Sequence, residues 1–304
     1  MIELSIIIVN WNAESVLKSC LNSIYKFTKS SSFEIIVVDN NSTDNSCRMI
    51  EENFKEVILI KNSENYGFAA ANNQGLEICK GENILLLNPD TELKDDAING
   101  LVSFLKTSSF DIVTCKLLNT DGSLQRSVYK FHSSVRTILE NRLINLIKLF
   151  KLNEESFGWI SKLWAHDEIK QIDWARGAVM LLSRKVFTSL GYLDENCFIY
   201  AEEIDYYMRA RKAGFTAGFT PKVSIVHHAG ISTQQVKLKM LLQNHKSYSY
   251  LINKHYSKRV YYFYKLAIIL GLLFKIMKVR LSANKEQYDN NLYLLKYHLR
   301  SKNG

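Results

Sequence analysis

Three groups of carboxylates stand where an acidic side chain has chemical work available. Asp39 directly follows the apolar run Phe33-Glu-Ile-Ile-Val-Val38. Open α/β sheets bind ligands at the carboxyl ends of their strands, so an acid there can accept from the N–H of a nucleotide base. Asp90 follows a second such run in Leu86-Leu-Asn-Pro-Asp90. A carboxylate at that place can hold Mg2+ or Mn2+ against a diphosphate, with phosphate oxygens completing the shell. The third group is Tyr200-Ala-Glu202-Glu203-Ile-Asp205, three acids within four positions of a mostly apolar segment. Burying them is costly unless something uses them, and a general base for a hydroxyl must be such a group within reach. The pair His227-His228 after a short apolar run offers a further metal ligand.

Each group also has a plainer reading. Ser42 and Asp44 behind Asp39 suit a turn and a helix cap. Asn88-Pro89-Asp90 suits a turn, and an acidic first turn complements a helix dipole. Adjacent histidines are more often structural than ligating.

The elements needed to position these residues are visible. Leu4–Val9, Phe33–Val38, Val57–Ile60, Asn83–Leu87 and Asp111–Cys115 are short, β-branched or leucine-rich runs suited to strands buried on both faces. Between them, Val16, Leu17, Cys20, Leu21 and Ile24 form a helical stripe, and Phe68–Cys79 and Ile98–Leu105 read as helices. Repeated β-α-β with short links predicts a mostly parallel, doubly wound sheet. Residues 130–170 are less regular, helical in part over Ile138–Phe150, and are expected to form a lid or acceptor-side insertion. Order returns at Trp174–Leu182, then a helix over Glu202–Ala213 ended by Gly214. A strand over Val223–Val226 delivers the two histidines.

Several chemistries lack their signatures. There is no G-x-G-x-x-G, no Walker A sequence and no G-x-S-x-G elbow, which disfavours dinucleotide binding and an α/β-hydrolase. The five cysteines are widely spaced with no C-x-x-C pair, and read as reduced, mostly buried thiols.

In order along the chain, the segments Ser5-Ile-Ile-Ile-Val-Asn-Trp-Asn12, Val37-Val-Asp-Asn-Asn-Ser-Thr-Asp44, Asn65-Tyr-Gly-Phe-Ala-Ala-Ala-Asn-Asn73 and Leu86-Leu-Asn-Pro-Asp-Thr91 are followed by Asp121-Gly-Ser-Leu-Gln-Arg-Ser127, Gly177-Ala-Val-Met-Leu181, Phe198–Arg209 and His227-His-Ala-Gly-Ile-Ser232. This set resembles the family 2 glycosyltransferases of the GT-A fold, in particular their rhamnosyltransferase-like branch, over residues 3–235. The resemblance implies an α/β GT-A domain over residues 1–235, with a mostly parallel nucleotide-binding sheet flanked by helices. It also implies inverting transfer of a sugar from a nucleotide-diphosphate donor to a glycan or lipid-linked acceptor. Rhamnose on dTDP is the first expectation and a UDP-hexose the next. Asp39 would contact the base, with Asn10, Asn12, Gly67, Asn72 and Asn88 around the nucleotide-sugar. Asp90 would bind Mg2+ or Mn2+, and His228 would complete that metal site. Glu202 and Glu203 fall on the family's acidic pair, whose second member is the base, and Asp205 is the substitute. Two departures stand out. Asn88 replaces an Asp common in the family, which leaves one fewer charge for the metal. Glu203 replaces the usual Asp, which lengthens the base by about one C–C bond.

The net charge of +9 is unevenly spread. From Lys237 onward there are fourteen Lys and Arg against two acids, Glu286 and Asp289, so the excess lies in a tail over 236–304. That asymmetry points to an anionic partner surface. Within it, Val260–Leu281 carries an uncharged core only from Leu266 to Phe274, bracketed by Lys265 and Lys275. This is short for a span of about 20 apolar residues. The tail is expected to be a basic amphipathic helix lying on the membrane, the alternative being a helix packed on the domain or in a homodimer. The N-terminus lacks a basic region and a long apolar run, so the expected location is cytoplasmic, at the inner face of the plasma membrane. Rival readings are a sugar-phosphate nucleotidyltransferase, a non-catalytic sugar-nucleotide-binding module, and a nucleic-acid binder. The last leaves the strand-end acids without a role, so no nucleic-acid partner is expected.

Overall fold

Strand β1 (Leu4–Asn10) is buried along its whole length, as its apolar stretch Ile6–Val9 requires of a strand covered on both faces. It lies between β2 (Phe33–Asp39) and β4 (Asn83–Leu87), parallel to both, and β3 (Ile58–Lys61) extends the parallel half beyond β2. The computed structural model describes residues 2–129, 131, 166–228, 237–281 and 285–300. The expected helix over 138–150 and the lid around it lie outside these residues.

The main sheet runs β3-β2-β1-β4-β11-β6-β12-β5, with β5 (Thr91–Glu92), β6 (Ile112–Leu118), β11 (Val179–Ser183) and β12 (Ala217–His227); β7 (Leu124–Gln125) pairs with β6, β9 (Lys170–Ile172) with β12, and β8 (Val128–Tyr129) with β10 (Trp174–Ala175). Strand β11 is antiparallel to both β4 and β6, while β6 and β12 are parallel to each other. The sheet is therefore mixed but mostly parallel. Helices α1 (Glu14–Phe27), α2 (Ser46–Asn53), α3 (Phe68–Ile78) and α4 (Ala97–Thr107) connect the early strands. Leu17, Cys20, Leu21 and Ile24 of α1 are buried with Leu4, Ile6, Ile8 and Ile35 in one core. The five cysteines are all free, and four of them are buried.

Two expectations are corrected. Strand β12 begins at Ala217 rather than Val223, and Gly218 and Pro221 had hidden its first half. Ser42 does not cap α2: its hydroxyl accepts from the Asn10 side-chain amide and from the Asn12 N–H. Asp44 does accept from the Ser46 N–H, at 3.0 Å.

Two compact units are present, Met1–Lys130 with His166–Lys237, and Phe131–Ala165 with Leu238–Gly304. The second contains helices Lys258–Leu281 and Lys285–Arg300 and all but the first residue of helix Lys237–His255. It has a small core of Ile252, Tyr261, Tyr264, Ile268, Leu272, Leu294 and Leu295.

Candidate active site

The ends of β1 and β2 are in register, so Asn10 and Asp39 stand side by side. Both are buried, and the Asn10 Nδ2 donates to Asp39 Oδ1 at 2.7 Å. Asp39 Oδ2 accepts from the Ser42 N–H at 2.9 Å. A carboxylate has about four acceptor positions, so Asp39 retains capacity for a base N–H. The Asn10 Oδ1 is enclosed without a hydrogen-bond partner among the described residues. Asn12 sits in the left-handed region (φ 48°) and its Oδ1 accepts from the Thr43 N–H at 2.7 Å. This joins the β1 and β2 loops into one rim.

The second cluster forms where β4 ends. Strand β5 follows Asp90 immediately and pairs antiparallel with the end of β12, setting Thr91 opposite His227. This pairing brings His227 Nε2 to 3.2 Å from Asp90 Oδ1, an atom buried without a hydrogen bond among the described residues. The other ring nitrogen, Nδ1, lies 2.6 Å from Gln125 Oε1. The Gln125 amide orientation is fixed because its Nε2 donates to Asn119 Oδ1 and to the His227 carbonyl oxygen. Nδ1 must then donate, and in the neutral ring the Nε2 lone pair faces Asp90. Asn88 Nδ2 is 3.5 Å from the same Nε2. His228, the histidine singled out in the sequence, instead has its Nε2 3.4 Å from Glu92 Oε2, while its N–H donates to the Asp90 carbonyl.

An orphaned carboxylate oxygen facing an imidazole lone pair suits a divalent cation that draws its remaining ligands from a diphosphate and water. Among the described residues, no group of three or more His, Cys, Asp and Glu side chains is placed to hold a metal alone. Among the described residues, Asp90 and His227 are thus the side chains that could share one divalent cation with a diphosphate and water.

The acidic cluster starts helix α6 (Glu202–Lys212), after α5 (Arg184–Leu190). Tyr200 (φ 67°) and Ala201 (φ 69°) both adopt the left-handed conformation immediately before it, costing on the order of 1–3 kcal/mol each. Such strain persists only where the surroundings enforce it. Here Phe68 N–H donates to the Phe198 carbonyl at 2.6 Å, and the Asn73 side chain exchanges hydrogen bonds with the Leu193 backbone. Gly67 (φ 92°) is required at that junction, because a Cβ would run into the Phe198 carbonyl oxygen.

The three acids have different environments. Asp205 is fully buried and its Oδ2 accepts from Arg209 Nε at 2.7 Å; Arg209 also donates to the carbonyls of Leu190 and Tyr192. Asp205 thus anchors α6. Glu202 is buried, and burial followed by the charge of Glu203 raises its carboxyl well above the ordinary range. Glu203 is partly open, and its enclosed Oε2 has no hydrogen-bond partner among the described residues. Burial pushes it from 4.5 up to about 7, against its own backbone hydrogen bond and the Arg176 guanidinium, which pull it down. Its Cβ lies within 3.7 Å of where a Cβ on Gly177 would stand. Gly177 precedes β11, and Asn88 N–H donates to the Ala178 carbonyl. Glu203 and Asp90 therefore border the same sheet edge.

Asn72 is buried and its Nδ2 donates back to the Phe68 carbonyl, so its amide serves α3. Three contributors escaped the sequence reading, Gln125, Arg176 and Asn40, and His227 entered it only as one of a pair. Asn40 is buried; its Nδ2 donates to Asn65 Oδ1 and the Gly67 carbonyl, and its Oδ1 accepts from Asn62 Nδ2 and the Tyr66 N–H. Its position directly after a strand-end acid was the available signal.

Residues 5–163 match glycosyl transferase family 2. A low-salt glycan biosynthesis hexosyltransferase of Haloferax volcanii is 29% identical over 230 residues, covering 74% of this chain and 67% of that protein. An N-acetylglucosaminyl-diphospho-decaprenol L-rhamnosyltransferase of Mycobacterium tuberculosis is 23% identical over 234 residues, covering 73% of this chain and 75% of that protein. Among solved structures, a Pyrobaculum calidifontis mannosyltransferase in complex with GDP-Man and Mn2+ superposes with a TM-score of 0.56 at 15% identity, over 99% of this chain and 88% of that one. By the family match, the mixed sheet and the strand-edge acids together, this chain belongs to glycosyl transferase family 2, with a GT-A fold.

Proposed function

We propose that this glycosyltransferase is an inverting enzyme that uses a nucleotide-diphosphate sugar and Glu203 as general base, acting on a glycan or lipid-linked acceptor in surface polysaccharide synthesis. The observation that carries the reading is Glu203 itself: a partly open carboxyl, raised to about 7, beside Gly177 at the edge that also bears Asp90. A base works best when its proton affinity lies near the working pH. The acceptor hydroxyl oxygen attacks the anomeric carbon, Glu203 takes its proton, and the bond to the nucleotide diphosphate breaks with its electrons leaving on phosphate oxygen. One displacement inverts the carbon. Asp39 and Asn10 orient the base. Asp90 and His227 would hold Mg2+ or Mn2+, which supplies positive charge to the departing diphosphate. Asp205 is committed to Arg209 and Glu202 is buried, which leaves Glu203 as the partly open member of the cluster for proton transfer.

The rhamnosyl-transferring relative and the GDP-Man- and Mn2+-bound neighbour support a nucleotide-sugar donor and a divalent ion. dTDP-rhamnose is the first donor to test, with UDP-glucose, UDP-galactose and UDP-N-acetylglucosamine beside it. Nucleotide diphosphate release is measured with membrane lipid extract as acceptor, with Mg2+ or Mn2+ and with chelator. Metal-dependent release from one donor, lost in Glu203→Gln and Asp90→Ala, is the expected result. Full release by Glu203→Gln would refute the assignment of the base.

A further inference from the structure

Helix Lys258–Leu281 is apolar on two sides. One side, with Tyr261, Tyr264, Ile268 and Leu272, is packed in the core of the second unit against Leu294 and Leu295. The other carries Tyr262, Leu266, Leu270, Leu273 and Met277, which are 42% to 60% exposed. At about 100° per residue these five positions fall on an arc of about 80° and run about 22 Å along the axis. Arg259, three residues before Tyr262, and Arg280, three after Met277, lie on the same arc. The helix itself contains no acid. Helix Lys285–Arg300 adds a shallow concavity lined by Tyr293, Lys296, Tyr297 and Arg300.

We propose that this stripe seats the protein on an anionic lipid surface, with the helix lying in the interface plane. An exposed apolar face of this length closed at both ends by arginine matches a layer of acyl chains beneath negative headgroups. Tyrosines beside basic residues suit the headgroup level. A second copy of the chain is the poorer occupant, because pairing two such stripes sets arginine ends against one another without acids to answer them. Residues Lys258–Arg280 are long and apolar enough to cross a membrane by length and composition. Crossing would strip Tyr261, Tyr264, Ile268 and Leu272 from their packing and take the lysines at 265, 275 and 278 into hydrocarbon. The interfacial seat keeps both.

The test uses the full chain with preformed vesicles of phosphatidylcholine alone or mixed with phosphatidylglycerol, read by flotation. Binding to the mixed vesicles, weakened by salt and extracted by alkaline carbonate, is expected. Leu266→Gln/Leu270→Gln/Leu273→Gln should weaken that binding at least about tenfold while leaving helicity and nucleotide diphosphate release unchanged. Arg259→Gln/Arg280→Gln should reduce the preference for the anionic lipid. Equal flotation of the leucine variant and the parent would overturn the proposal. So would resistance to carbonate, flotation with neither vesicle, or a dimer in sedimentation that the leucine variant dissociates.

Discussion

Glu203→Gln should remove activity and at the same time stabilise the fold, in a pH-dependent way. In the unfolded chain this carboxyl has its ordinary value of 4.5, and in the folded protein burial moves it to about 7. The native state thus holds a proton that the unfolded state gives up. For a carboxyl raised in this way, stability is fully present below the unfolded value and is lost as pH rises toward the folded one. Each tenfold in proton affinity is about 1.4 kcal/mol, so the loss approaches about 3 kcal/mol above neutrality. A glutamine of nearly the same shape carries no such cost. Urea denaturation of parent and variant should show the variant's advantage widening by about 2 kcal/mol from about pH 5 to about pH 8. Part of the rise at Glu202 comes from the Glu203 charge, so the glutamine also relieves Glu202 and acts in the same direction. The activity counterpart is a kcat/KM that rises with pH through about 7 in the parent, since the base must be ionised. A stability difference that stays constant across this range, or a variant less stable at the alkaline end, would refute the reasoning.

Three further outcomes are expected. Gln125→Leu removes the acceptor that fixes the His227 tautomer, so Mn2+ affinity in the presence of nucleotide diphosphate should fall about 10–100-fold by calorimetry; Gln125→Asn, which keeps an amide, should recover part of it. Gly67→Ala places a Cβ against the Phe198 carbonyl at φ 92°, and thermal denaturation should show a loss of at least about 2 kcal/mol. Asp205→Asn leaves Arg209 without its buried carboxylate. Stability should drop by about 3 kcal/mol with the pH dependence of activity unmoved; a shifted pH profile would return Asp205 to consideration as the base.

The parallel half of the sheet was legible because Leu4–Val9, Phe33–Val38 and Asn83–Leu87 are short runs dominated by isoleucine, valine and leucine, which leaves few alternatives to a strand covered on both faces. Strand β12 was half legible. Its register shifts between Thr220 and Ser224, so the pattern on the two sides of the irregularity does not read as one strand. That shift also bears on why the sequence favoured His228 for the metal, whereas the structure turns His227 toward Asp90 and His228 toward Glu92. Side chains alternate along a strand, and one residue of slip exchanges their faces. Strand β5 has two residues and no pattern of its own, yet it decides which histidine meets Asp90. In the acidic cluster, spacing named three candidates, but only the partners separate them: Arg209 holds Asp205, while Gly177 leaves room beside Glu203.

The pairing of Thr91 with His227 has a consequence for synthesis. Asn88, beside Asp90, is 139 positions away from His227. The ribosome finishes β1, β2 and β4 long before it makes the residue that faces Asp90. A nascent chain stopped before β12 can shape the rim around Asp39 but has no imidazole to offer a cation, and its Asp90 stands alone. A cation held by Asp90 and His227, as proposed above, would therefore favour only chains in which β12 has docked on β5 and β6: an ion that binds the completed sheet and not its precursors draws the folding equilibrium toward completion.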